Sequence, residues 1–171
     1  ANVGFIDKMD WTQDRLVGGG RIIGEACHFI DLARFLIGKK IVSSRAISFG
    51  KQSEVSSWDD KAQLTLTFED GSFASINYLA NGAKTYPKEK IQVFVAGSVF
   101  EIDNFKSLNI FGNSSRRKIR SFSQDKGQSE CIKAFKHSLR SGSPAIPLNE
   151  IFETAEIAIK LSKEALEFNV N

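Results

Sequence analysis

The sequence predicts an α+β fold: a largely antiparallel open sheet with helices packed on one face. Three observations lead there. A long apolar run, Arg21 to Ile37, is closed by Gly38. Alternating segments punctuated by hairpin signals fill the middle of the chain. Two stretches with apolar residues at helical spacing end it. Strands that follow one another through tight turns pair antiparallel, and one face of such a sheet needs a cover.

The elements follow in order. Asn2 to Ile6 reads as a short strand, and Asp7 to Val17 as a polar loop containing Trp11. Gly18-Gly19-Gly20 then punctuates the chain before Arg21 to Ile37, whose length suits a helix of about four to five turns. Ile22, Ile23, Ala26, Cys27, Phe29, Ile30, Ala33, Phe35 and Leu36 make that helix apolar nearly all round, so it should be buried. Ile41 to Lys51 has the β-branched and aromatic content of a strand. Leu64, Leu66 and Phe68 alternate with polar residues, Asp70-Gly71 signals a hairpin, and Ser72 to Leu79 is the returning strand. Ile91 to Val95 and Val99 to Ile102 flank Ala96-Gly97-Ser98 as a second hairpin. Ser107 to Phe111 and Lys118 to Phe122 are shorter strands. Gly127 to Arg140 is a helix with Cys131, Ile132, Phe135 and Leu139 on one stripe, stopped by Ser141-Gly142-Ser143-Pro144. Glu150 to Phe168 is the last helix, with Asn149 as its N-cap.

Composition narrows the function. The 171 residues, 14 of them Phe, suffice for one domain with a real core. A net charge of +3, spread along the chain apart from Arg116-Arg117-Lys118, gives no nucleic-acid signal. No stretch is apolar enough to span a membrane. Two cysteines, Cys27 and Cys131, make no disulfide framework and suggest a reducing, cytoplasmic compartment. The first residue is Ala1, not Met, which reads as a fragment or a processed product.

The helix from Arg21 to Ile37 carries the most chemistry. Arg21, Glu25, His28 and Asp31 recur at steps of three and four, with Gly24 beside them. At a regular helical period they share one face. Polar groups on a buried helix need partners, so the strip faces either its own ion-pair network or a wet cleft. In the structural reading Asp31 pairs with Arg34 or orients His28, Glu25 pairs with Arg21, and His28 meets a backbone carbonyl. In the functional reading the strip lines a cleft and Gly24 leaves room for a ligand. Histidine suits proton transfer to and from a hydroxyl near neutral pH.

The segment Gly18-Gly19-Gly20-Arg21-Ile22-Ile23-Gly24-Glu25-Ala26-Cys27-His28-Phe29-Ile30-Asp31-Leu32 resembles the signature of the Gfo/Idh/MocA oxidoreductases, the family of glucose–fructose oxidoreductase and inositol dehydrogenase. Its wording looks like that of a bacterial subgroup. The order of helix, antiparallel strands and C-terminal helices is similar to the family's second domain. The resemblance implies that residues 1–171 are the C-terminal substrate-binding domain of a two-domain, NAD- or NADP-dependent enzyme. The Rossmann domain that binds most of the cofactor, and a family Lys in a Glu-Lys-Pro motif, would lie outside this chain. It also implies a secondary alcohol or ketone of a sugar, nucleotide sugar or cyclitol as substrate, and a homo-oligomer formed through the open sheet face. The family's catalytic His falls on His28, with Asp31 to orient it and Glu25 and Arg21 to bind substrate or support the cleft. Many members carry Asp four residues before that His; here the position is Gly24, and Glu25 or nothing takes its role.

Other candidates are Lys84, after a strand, for a sugar hydroxyl or phosphate, and Trp11 for stacking on a sugar face. A solvated turn and ordinary loop packing are their structural alternatives. His137 reads as a surface residue. Cys27 beside His28 lacks further ligands at metal spacing, so no metal is expected. No Gly-x-Gly-x-x-Gly follows a strand, so no cofactor site is expected within the chain, which alone should be inactive. The alternative function is a non-catalytic binding or oligomerisation module of the same family.

Overall fold

A computed structural model describes residues 1–7, 9–49, 60–112 and 115–167. The chain divides into two compact units, one of residues 3–82 and 146–171, the other of residues 1–2 and 83–145. Among the described residues all strand pairing is antiparallel, and the strands fall into two sheets of three and four rather than one. The α+β class stands.

The larger unit contains α1 (Cys27–Ile37), β1 (Ile41–Ser48), β2 (Lys61–Phe68), β3 (Phe73–Leu79) and α3 (Leu148–Glu167). Its sheet has the order β1-β2-β3. The alternation read from the sequence of β2 holds: Ala62, Leu64, Leu66 and Phe68 are buried, and the residues between them are half-buried. Register places Leu64 between Ala46 and Ile76, and Ala62 between Ser48 and Tyr78, on the same buried face. α3 covers this face with Thr154, Ala158, Leu161, Ser162 and Ala165. That is a stripe at helical spacing. Each large apolar side chain buried here contributes about 1.5–3 kcal/mol relative to exposure.

Polar side chains of α3 also seal the free edge of β1. Glu153 accepts from the Ile41 amide, and Lys160 Nζ donates to the Ser44 carbonyl at 3.2 Å. An edge strand covered by a helix is closed to pairing with another chain. The start of the last helix differs from the sequence reading. α3 begins at Leu148, so Asn149 lies inside it and the Pro147 carbonyl receives the Glu150 amide. Proline supplies a ready first turn, which moved the start forward. The expected ends at Lys51 and Phe168 lie outside the described residues.

The smaller unit is a meander of β4 (Lys90–Val95), β5 (Ser98–Asp103), β6 (Ser107–Gly112) and β7 (Ser115–Arg120), with α2 (Gln128–Ser141). The register segregates its faces. One carries the row Ile91, Ile102, Leu108, Ile119; the other carries Gln92, Glu101, Asn109, Lys118. Gln92 and Asn109 both donate to Glu101. α2 has the expected apolar stripe, but Ile132, Phe135 and Leu139 are exposed. No helix of the described residues is long and apolar enough to cross a membrane. Both cysteines are free thiols.

Candidate active site

The glycine run and the helix after it form one assembly in the larger unit. Asp10 caps a short 3-10 turn, Trp11–Gln13, by accepting from the Thr12 amide at 2.9 Å. Gly18 then passes against the backbone of that turn. A Cβ at Gly18 would stand 2.8 Å from the Trp11 carbonyl oxygen and 3.0 Å from Thr12 Cα, so only glycine fits. The run therefore packs chain against chain.

Arg21 to Ile37 is not one regular helix. Ile22–Ala26 is a π-turn, closed by the Cys27 amide on the Ile22 carbonyl, and α1 starts only at Cys27. α1 ends as expected at Gly38, in the left-handed conformation (φ 68°), with its amide on the Arg34 carbonyl. The helix is buried on one side through Ile30, Ala33 and Arg34, and not all round: Ile23, Phe35 and Leu36 are exposed. The apolar excess misled because Arg34, a polar residue, takes one of the buried positions. Its guanidinium meets Glu153 at 3.1 Å and Glu150 at 3.6 Å on α3.

The polar strip is split by the π-turn. Arg21 and Glu25 turn inward to Tyr78 on β3, which is fully buried. The Tyr78 hydroxyl accepts from Arg21 Nε at 3.0 Å and Nη2 at 2.6 Å, and donates to Glu25 Oε2 at 2.7 Å. Arg21 also pairs directly with Glu25. Burial pushes the Tyr78 phenol well above its ordinary pKa; the hydrogen bond to Glu25 and its charge add to this, and Arg21 opposes it. The phenol is thus a fixed donor to a carboxylate.

His28 and Asp31 stand on the other side, both exposed on α1. No hydrogen bond joins their side chains, and Asp31 does not pair with Arg34. Cys27, between the two halves of the strip, is half-buried; burial raises its thiol pKa, with Asp31 and Glu25 adding to the rise against backbone hydrogen bonds. Gly24 is exposed, and a Cβ there would meet only the Gly18 carbonyl oxygen, at 3.4 Å. Trp11 is 66% exposed. Lys84, also exposed, belongs to the smaller unit. The structure therefore brings Arg21 and Glu25 together around Tyr78 and leaves His28, Asp31 and Trp11 open to solvent.

Tyr78 was not singled out by the sequence, although a signal existed. It falls on the core face two residues after Ile76, and a buried tyrosine hydroxyl needs a partner. Among the described residues, no group of three or more His, Cys, Asp or Glu is gathered as a metal would require.

Solved structures share this architecture. An aldose–aldose oxidoreductase from Caulobacter crescentus, complexed with glycerol, matches with a TM-score of 0.74 at 18% identity, over 96% of this chain and 51% of that one. A UDP-N-acetylglucosamine 3-dehydrogenase from Acidithiobacillus ferrooxidans matches at 0.72 and 16%, over 91% and 50%. A levoglucosan dehydrogenase in complex with NADH and levoglucosan matches at 0.71 and 15%, over 95% and 53%. At these identities the likeness is one of fold. The chain spans about half the length of the solved structures it matches. No curated protein matches in sequence. The family model of the GFO/IDH/MocA C-terminal domain matches residues 2–100, more than half of the sequence, and the chain belongs to that family.

Proposed function

We propose that the chain is the substrate-facing half of an NAD(P)-dependent oxidoreductase acting on a secondary alcohol or ketone of a sugar, nucleotide sugar or cyclitol. The observation that carries this reading is the split strip. Arg21 and Glu25 are consumed by Tyr78, while His28 stays exposed at the start of α1. An exposed imidazole is free to accept the hydroxyl proton as a carbinol is oxidised, and to return it in reduction. Asp31 follows three residues on along the same helix as the candidate to orient the ring, and Trp11 offers an aromatic face to a sugar. Lys84 is a further candidate for a sugar hydroxyl or phosphate. The family and the fold support the reading, as do the sugar-related names of the matched structures.

The described residues do not fit a dinucleotide. Pyrophosphate is held where a glycine-rich turn meets a helix N-terminus beside parallel strands. Here every strand pair is antiparallel, and Gly18 is filled against this chain's own backbone. Under this reading the cofactor is held by a separate domain, and the chain alone turns over nothing. The test is His28→Ala in the full-length protein. Turnover should be lost and nucleotide binding kept; turnover close to the unsubstituted protein would refute the assignment.

A second reading, a binding or assembly module, is favoured by the exposed apolar residues of the smaller unit, among them Phe94 at 72% and Val95. Sedimentation separates the two. Concentration-dependent association with no turnover by the full-length protein would select the module.

A further inference from the structure

The structure assigns Tyr78 a positioning role: its buried hydroxyl holds the π-turn and so sets the direction of His28. This inference rests on the proton-transfer reading of His28.

The argument starts from helix phase. In a regular α-helix the seven steps from Arg21 to His28 complete two turns to within about 20°. Arg21, Glu25 and His28 would then share one face. A π-turn is wider, and five residues of it fall roughly a quarter-turn behind the α-helical phase. Ile22–Ala26 is such a turn. The observed exposures follow: Arg21 is 7% exposed against Tyr78, whereas His28 is exposed to solvent. Without the wide turn His28 would point with Arg21 toward the sheet.

The wide turn then needs a cause. Such turns are rare and occur mostly as single turns within α-helices. No side chain caps this one. Its two ends are instead pinned from the sheet. Arg21 precedes the turn, Glu25 is its fourth residue, and both are bound to the single oxygen of Tyr78. That oxygen has one proton to give and two lone pairs. The proton goes to Glu25, and the lone pairs face Arg21. Tyr78 is itself held by the sheet: it is fully buried, and its backbone is registered against Ala62 of β2. Gly24, with only the Gly18 carbonyl near its Cβ position, allows the turn to widen without a side-chain clash.

The test uses Tyr78→Phe, which removes one oxygen and keeps the ring. The chain has two histidines, His28 in the larger unit and His137 in the smaller. In histidine-selective NMR spectra of the chain, the His28 ring resonances should shift and those of His137 should stay in place. In the full-length protein kcat should fall at least tenfold while KM stays within threefold. An unmoved His28 resonance, or a shifted resonance with unchanged kcat, would overturn the role. If Tyr78→Phe does not fold, Glu25→Gln is read in the same two ways, because it removes the charge that holds both the Tyr78 hydroxyl and Arg21 at the turn. Failure of the proton-transfer reading appears separately, as full turnover by His28→Ala.

Discussion

Replacing Arg21 by Met tests the buried cluster most directly. The substitution keeps an apolar stem of similar length but deletes both hydrogen bonds to Tyr78 and the ion pair to Glu25. Glu25, whose side chain is only 19% exposed, keeps its charge and loses its cation. Removing one partner of a buried pair costs about 3–5 kcal/mol. The lower end applies here, because Glu25 touches water and retains the Tyr78 donor. For a unit of roughly 100 residues, about 3 kcal/mol lowers Tm by about 12 °C or more. The control is Arg45→Met. Arg45 meets Glu164 at 2.9 Å, but its side chain is 82% exposed, so the pair contributes at most about 1 kcal/mol. Scanning calorimetry of both variants gives the comparison. The triple variant Arg21→Met, Glu25→Leu and Tyr78→Phe should recover most of the loss, since neither a charge nor the buried hydroxyl is left stranded. An Arg21→Met protein as stable as Arg45→Met would refute the reasoning, because the cluster would then contribute no more than a surface pair.

Three other outcomes follow from the same geometry. The Tyr78 phenol has a raised pKa in the folded chain, so the folded state holds its proton longer than the unfolded state does. The stability this contributes is fully present below the ordinary tyrosine pKa of 10.0 and is lost as pH rises above it, by about 1.4 kcal/mol per unit. A Tyr86→Phe chain, with Tyr78 as its only tyrosine, should show no tyrosinate absorbance until it unfolds. Gly18→Ala should destabilise more than Gly38→Ala in urea titrations: the first forces backbone apart, whereas the second, with nothing within 4 Å, meets only the left-handed strain of about 1–2 kcal/mol. Arg116, Arg117, Lys118 and Arg120 crowd the edge strand β7, all exposed and without an ion pair to a described residue. Charged edges resist pairing with a second copy. Changing all four to Thr removes four positive charges from a chain of net +3 and should steepen the rise of the sedimentation coefficient with concentration; an unchanged concentration dependence would refute the guard.

The fold was legible where structure is local. The β2–β3 hairpin followed from alternation plus Asp70-Gly71, and the end of α1 from Gly38. The division into two sheets was not, because strand patterns state which face is apolar and not which strands meet. The strip was misphased for a similar reason. Arg21, Glu25, His28 and Asp31 do repeat at helical spacing, but the π-turn between them is held by Tyr78, 53 residues beyond Glu25. A partner that far along the chain leaves no mark on the local period. Arg34 shows the same limit, since its burial depends on Glu153 of α3.

The split also bears on which acid serves His28. The sequence left Glu25 as a candidate for the role suggested by Gly24. For Glu25 to reach toward His28 it must leave Arg21 and the Tyr78 hydroxyl, breaking the buried pair at a cost of about 3 kcal/mol. A conformer that costly is populated below about 1%. Glu25 is therefore held as a structural anion, and the work that its charge does is to fix the turn. α1 carries a single carboxylate, Asp31, exposed and about one helical turn beyond His28. If the ring needs an acidic partner within this chain's helix, the geometry leaves Asp31 to supply it. Asp31→Asn in the full-length protein should then lower kcat, whereas Glu25→Gln should act through the position of His28 and shift its ring resonances as well.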